Sequence, residues 1–201
     1  MTPQDTQLLY KSLMEIGKLS EKYKTNFIHN YAWREHLQRG ILNIILNTGI
    51  SSDNKVTGED FKTSIYQKGE LKSCKGERAK TTKLLLKSKC KFEFDKQNDD
   101  VKIKQTREYD CLLFSIFESD TPEIVVNIMI HGKKAITEFN NLVIDKQNKF
   151  KIMQESCISN NKRIPRDSIK FDYGDIVAMD HCEFYTGATQ ITLNQFKDLF
   201  H

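Results

Sequence analysis

The stretch Asp60-Phe-Lys-Thr-Ser-Ile-Tyr-Gln-Lys-Gly-Glu70-Leu-Lys72 carries two acids and a lysine in an arrangement suited to metal-dependent phosphodiester cleavage. Two carboxylates offer hard oxygen ligands of the kind Mg²⁺ takes. An ammonium beside them orients a water, or helps to deprotonate it, next to a scissile phosphate. In an extended strand alternate side chains share a face, so Glu70 and Lys72 are expected to project together while Leu71 turns into a core. Asp60 would meet them from a neighbouring strand across a turn at Lys68-Gly69.

The spacing alone is a weak signal, because 29% of the residues are charged and such patterns arise by accident. Its surroundings add to it. Residues 68 to 107 hold 13 Lys or Arg against 6 Asp or Glu, a local charge of +7 in a chain whose total is +4. A basic block directly downstream suits a phosphate-backbone groove, although a solvated lysine-rich face would read the same way. The five cysteines show no C-x-x-C pair and the five histidines lack zinc-ligand spacing, so reduced thiols without structural zinc are expected. No basic leader precedes an apolar run and no apolar stretch reaches membrane-spanning length, which implies a soluble cytoplasmic protein with no membrane partner.

The elements that must position these residues follow from periodicity. Leu8, Leu9, Leu13, Ile16 and Leu19 predict an amphipathic helix between Gln7 and Tyr23, and Leu37, Ile41, Ile44 and Ile45 predict a second from Ala32 to Leu46, stopped by Gly49. Strands are expected at Phe61–Tyr66, Gly69–Cys74 and Leu84–Phe94. Residues 111–117 and 124–130 are apolar enough to be central strands covered on both faces. A helix from Lys133 to Asp145, a polar connection, a strand at Ser168–Tyr173 and a closing helix at Asn194–Phe200 complete an α+β, mixed α/β fold with a central mixed sheet flanked by helices. The length suits one domain over residues 1–201.

Ile45-Leu-Asn-Thr-Gly-Ile50, Gly58-Glu-Asp60 and Gly69-Glu70-Leu-Lys-Ser73 resemble the catalytic half of the PvuII-type restriction endonucleases, within the PD-(D/E)xK nuclease superfamily. The likeness runs ungapped from Gly49 to Ser73. Farther on, Tyr109 to Phe117 and Ile124 to Ile130 resemble that family's paired core strands, and Ser159-Asn160-Asn161-Lys-Arg-Ile164-Pro165 resembles its N-N-x-x-I-P segment. The resemblance implies a type II restriction endonuclease that hydrolyses double-stranded DNA with Mg²⁺ and no nucleotide cofactor. Asp60 and Glu70 would bind the metal and Lys72 would stand at the attacking water. Glu35 is the nearest equivalent of an acid in the preceding helix, one place early. Asn160 and Asn161 would contact DNA. The resemblance further implies a homodimer on a palindromic site, with residues 1–30 as a helical dimerisation region, 31–130 as catalytic core and 131–201 for DNA recognition.

The family's histidine cluster after the lysine is missing. Lys75, Arg78, Lys80 and Lys83 stand there instead, so the family's target sequence does not carry over, and Arg78 is a candidate base reader because it can bond guanine bidentately. Two other readings use the same residues: a sequence-nonspecific or structure-selective repair nuclease of this fold, and a non-catalytic nucleic-acid-binding module working through the basic block.

Overall fold

The computed structural model describes residues 31–47, 60–76, 90–97, 99–118 and 124–200, together with single positions between 4 and 18. Helix α1 (Tyr31–Leu46) forms where Leu37, Ile41 and Ile45 recur every fourth residue, and it ends at Asn47, whose φ of 49° takes the left-handed conformation that closes helices. The stop expected of Gly49 is thus made earlier, by an asparagine; Gly49 lies outside the described residues.

Strands β1 (Gly69–Gly76), β3 (Cys111–Glu118), β4 (Ile124–His131), β6 (Glu183–Thr186) and β7 (Thr189–Ile191) make a five-stranded sheet in that spatial order. β1 runs parallel to β3 and the remaining pairs are antiparallel. Strand β2 (Lys91–Asp95) pairs antiparallel with β5 (Ser168–Asp172) in a separate ribbon. Helices α2 (Asp100–Thr106), α3 (Gly132–Ser159), α4 (Tyr173–Val177) and α5 (Leu193–Asp198) complete the chain, which is a mixed α/β fold with a mixed sheet flanked by helices.

The two-residue period of the sheet sorts its side chains into two cores. Leu112, Phe114 and Ile116 of β3 pack with Phe139 and Val143 of α3 and with the ribbon residues Phe92, Phe94, Ile169 and Phe171. The alternate residues, Cys111 and Leu113, pack with Leu71, Phe61 and Leu42 of α1. Aromatic contacts fasten the ribbon to the sheet: the rings of Phe92 and Phe114 stack 4.4 Å apart, and that of Phe94 lies tilted 6.2 Å from Phe114. Burying each such ring contributes roughly 2 kcal/mol, so β2 is a fixed wall beside β1.

Several expectations need correction. Phe61–Tyr66 is no strand; Phe61 makes one isolated antiparallel bridge to Gly69, and Thr63 turns the chain by accepting from the amides of Ile65 and Tyr66. The helix expected to end at Asp145 continues to Ser159, because Gln147 and Phe150 remain buried and the exposed positions beyond them are mostly polar residues that do not oppose a helix. Helices α2 and α4 and the β6–β7 hairpin have too few apolar residues to announce themselves, although Asp99 caps α2 by accepting from the amides of Val101 and Lys102. The apolar stripe of residues 7–23 falls largely outside the described residues; Gln7, Leu8, Lys11, Ser12, Glu15 and Lys18 are helical.

Candidate functional site

Glu70 and Lys72 sit on one face of β1, opposite Leu112 and Phe114 of β3, while Leu71 enters the core on the other face. Glu70 is almost wholly buried, at 5% exposure, and is ion-paired to Lys72. The Lys72 ammonium also lies 4.8 Å above the Phe94 ring, a cation–π contact. Tyr109, itself buried, hydrogen-bonds the Glu70 carboxylate. Burial nevertheless outweighs these partners and, with Asp60 adding like charge, pushes the Glu70 carboxyl up to about 7.

Asp60 reaches the same strand by a different route. Its Oδ2 accepts the Leu71 amide at 2.8 Å, and its own amide donates to the Gly69 carbonyl at 2.9 Å. This close approach requires a glycine, because a Cβ at position 69 would lie 2.4 Å from the ring of the buried Phe61. Asp110 secures the preceding turn by accepting the amides of Gln67 and Lys68. Asp60, Glu70 and Lys72 therefore converge at the start of β1.

Glu35 stands one step away. It pairs with Arg39 at 3.9 Å, and Arg39 donates to the Asp60 carbonyl at 2.7 Å. From the same helix the buried amide of Gln38 donates to the carbonyl of Lys72 at 2.8 Å and to Ser115 Oγ at 3.0 Å. Ser115 donates to Asn127, whose amide donates to the Gly187 carbonyl, so a polar chain runs from α1 through β3 and β4 to the β6–β7 turn. Sequence reasoning missed Arg39, Gln38 and Tyr109. Only Arg39 left a local sign, its place four residues after Glu35.

The Glu70–Lys72 face of β1 opens into a cleft of about 230 Å³, lined also by Tyr109, Glu93, Asp95 and Lys102. Its donor set suits Mg²⁺, which is commonly held by one or two carboxylates plus water and substrate oxygens. Among the described residues no group of three or more His, Cys, Asp or Glu side chains is gathered to hold a metal.

Asn160 and Asn161 have a structural task. Asn160 closes α3 and donates its amide to the Ser156 carbonyl, while Asn161 takes φ 51° and Lys162 donates back to the Cys157 carbonyl. This is a Schellman closure with asparagine in the left-handed position. Both side chains are exposed. Arg78, Lys80 and Lys83 lie outside the described residues. All five cysteines are free thiols, and no helix among the described residues is long and apolar enough to cross a membrane. In comparisons with known proteins, no protein-family model and no curated protein matches the chain.

Proposed function

We propose that the protein is a Mg²⁺-dependent endonuclease that hydrolyses double-stranded DNA at a short site, as a type II restriction endonuclease does. The observation that carries this reading is a buried carboxylate paired with a lysine in a cleft, with a second carboxylate held on the amide of the residue between them. Asp60 and Glu70 would hold the ion; one Asp60 oxygen is engaged by the Leu71 amide, and Glu70 gains a counter-charge for a carboxylate that burial disfavours. When bound, Mg²⁺ supplies charge neutralisation at the phosphate and a more acidic water.

The chain's own groups do the rest. Lys72 stands beside Glu70 and over the Phe94 ring, placed to stabilise a hydroxide poised for in-line attack. Tyr109 holds Glu70 in orientation, and Arg39 holds the Asp60 backbone. Glu35 acts through Arg39 rather than on the substrate. By the resemblance, two subunits would pair through residues 1–30 and each cut one strand of a palindrome, with Asn160, Asn161 and the segment carrying Arg78, Lys80 and Lys83 at the DNA.

Digesting a long mixed-sequence duplex with Mg²⁺ tests the reading. Discrete bands are expected; a smear would point to a structure-selective or nonspecific nuclease, and an intact duplex would leave only a binding module.

A further inference from the structure

The β2–β5 ribbon also borders a second concavity. Helix α3 and the chain leading through β5 enclose a groove of about 420 Å³, a volume that suits a ligand the size of a nucleotide and is too small for a duplex. Lys146 and Lys149 come to it from α3, Arg166 and Lys170 from the other wall, and its floor is Phe150, Met153 and Ile169. Among the described residues that line it there is no carboxylate.

Ion pairs across the ribbon link the groove to the cleft. Glu93 and Asp95 border the cleft, and these same carboxylates pair with the groove's Arg166, at 3.7 and 3.1 Å, while Lys170 lies 3.5 Å from Glu93. Lys149 has its own partner in Asp145 at 2.7 Å. Lys149, Arg166 and Lys170 are all exposed, and ion pairs so exposed are weak enough to yield to a polyanion. Cations over an apolar floor are what single-stranded nucleic acid takes: phosphates on the charges, a base face on the apolar side chains.

We propose that the groove continues the cleft and seats an unpaired nucleotide of the nucleic-acid strand, next to the duplex held at the reaction centre. The ligand class rests on the nuclease reading; the groove itself does not. Asp95, shared between the two concavities through Arg166, marks the path from one to the other.

Equilibrium binding in EDTA, where cutting cannot intervene, tests this with two labelled probes: a blunt DNA duplex and the same duplex with a short single-stranded tail. The tailed probe is expected to bind roughly tenfold more tightly, in line with one base stacked and its phosphate neutralised. The double variant Lys149→Glu/Lys170→Glu should remove that preference. Lys133→Glu/Lys134→Glu, an equal charge change about 24 Å up the same helix, should keep it. A single substitution, Met153→Asp, at an exposed position of the floor, should weaken the preference without altering blunt binding.

Equal affinity for the two probes would overturn the proposal, and so would its loss in both double variants alike. Competition by polyglutamate as effective as that by tailed DNA would also overturn it, since the groove would then read charge alone. Because binding is read apart from cleavage, a protein that prefers the tail but never cuts would support the groove while refuting the nuclease reading. One that cuts without that preference would do the reverse.

Discussion

Glu70→Gln should stabilise the ligand-free protein, and the gain should depend on pH. Burial holds the Glu70 carboxyl at about 7 against an ordinary value of 4.5. An acid whose pKa is higher folded than unfolded keeps its proton better in the native state, so folding is favoured at low pH and penalised as pH rises from about 4.5 through about 7. In full the penalty is about 3 kcal/mol, of which about 2.5 kcal/mol develops between pH 5 and pH 8. Glutamine keeps the shape of the protonated side chain and never ionises. Urea denaturation of both proteins at pH 5 and pH 8 is the assay: the variant's advantage should be small at pH 5 and widen by about 2.5 kcal/mol at pH 8, or roughly 5–10 °C in a thermal melt. Millimolar Mg²⁺ at pH 8 should raise the melting temperature of the wild type and leave the variant unmoved. A gap that stays constant across pH would show that Glu70 is not held protonated by its surroundings, and the electrostatic account of the site would fail.

Three further outcomes follow from the same geometry. Lys72→Ala should lower cleavage by roughly a hundredfold or more while DNA affinity, measured in EDTA, changes by less than about threefold; parallel losses would make Lys72 a binding residue. Gly69→Ala forces a methyl group to within 2.4 Å of the Phe61 ring, so a loss of roughly 2–3 kcal/mol in denaturant melts is expected, with cleavage impaired because Asp60 shifts with Phe61. Gln38→Ala leaves the Lys72 carbonyl and Ser115 without their shared donor, and should cost roughly 2–3 kcal/mol with little effect on Mg²⁺ affinity; a neutral result would deny the amide its role.

The heart of the site was legible because strand alternation is a local rule: Glu70 and Lys72 share a face and Leu71 opposes them for the same reason in any extended chain. The place of Asp60 was legible in outline, since a turn and a glycine sit between it and Glu70, although one bridge replaces the expected strand. The central strands showed themselves through continuous apolar runs. The supports of the site left almost no trace. Gln38 meets Lys72 across 34 positions and Ser115 across 77, and a polar residue on a helix carries no mark of a partner so distant in sequence. The end of α3 was obscured for the opposite reason: its last turns face solvent, and an amphipathic pattern vanishes where there is no core to face. Asn160-Asn161 shows how one dipeptide serves two descriptions, a helix terminator by its backbone and an exposed pair of amides by its side chains.

The buried Gln38–Ser115–Asn127 chain has a consequence for assembly of the sheet. Apolar strands such as β3 and β4 tolerate sliding past one another, because one branched hydrocarbon replaces another at little loss. Each donor in this chain has its acceptor only in the native alignment, and a slip by a single position would strand several of them in a dry interior. The same slip in β1 would turn Leu71 toward the cleft and drive Glu70 and Lys72 into the apolar core on the opposite face. A few amides and a hydroxyl thus act as a proofreading key, admitting the one pairing in which Glu70 and Lys72 share the cleft side of the sheet.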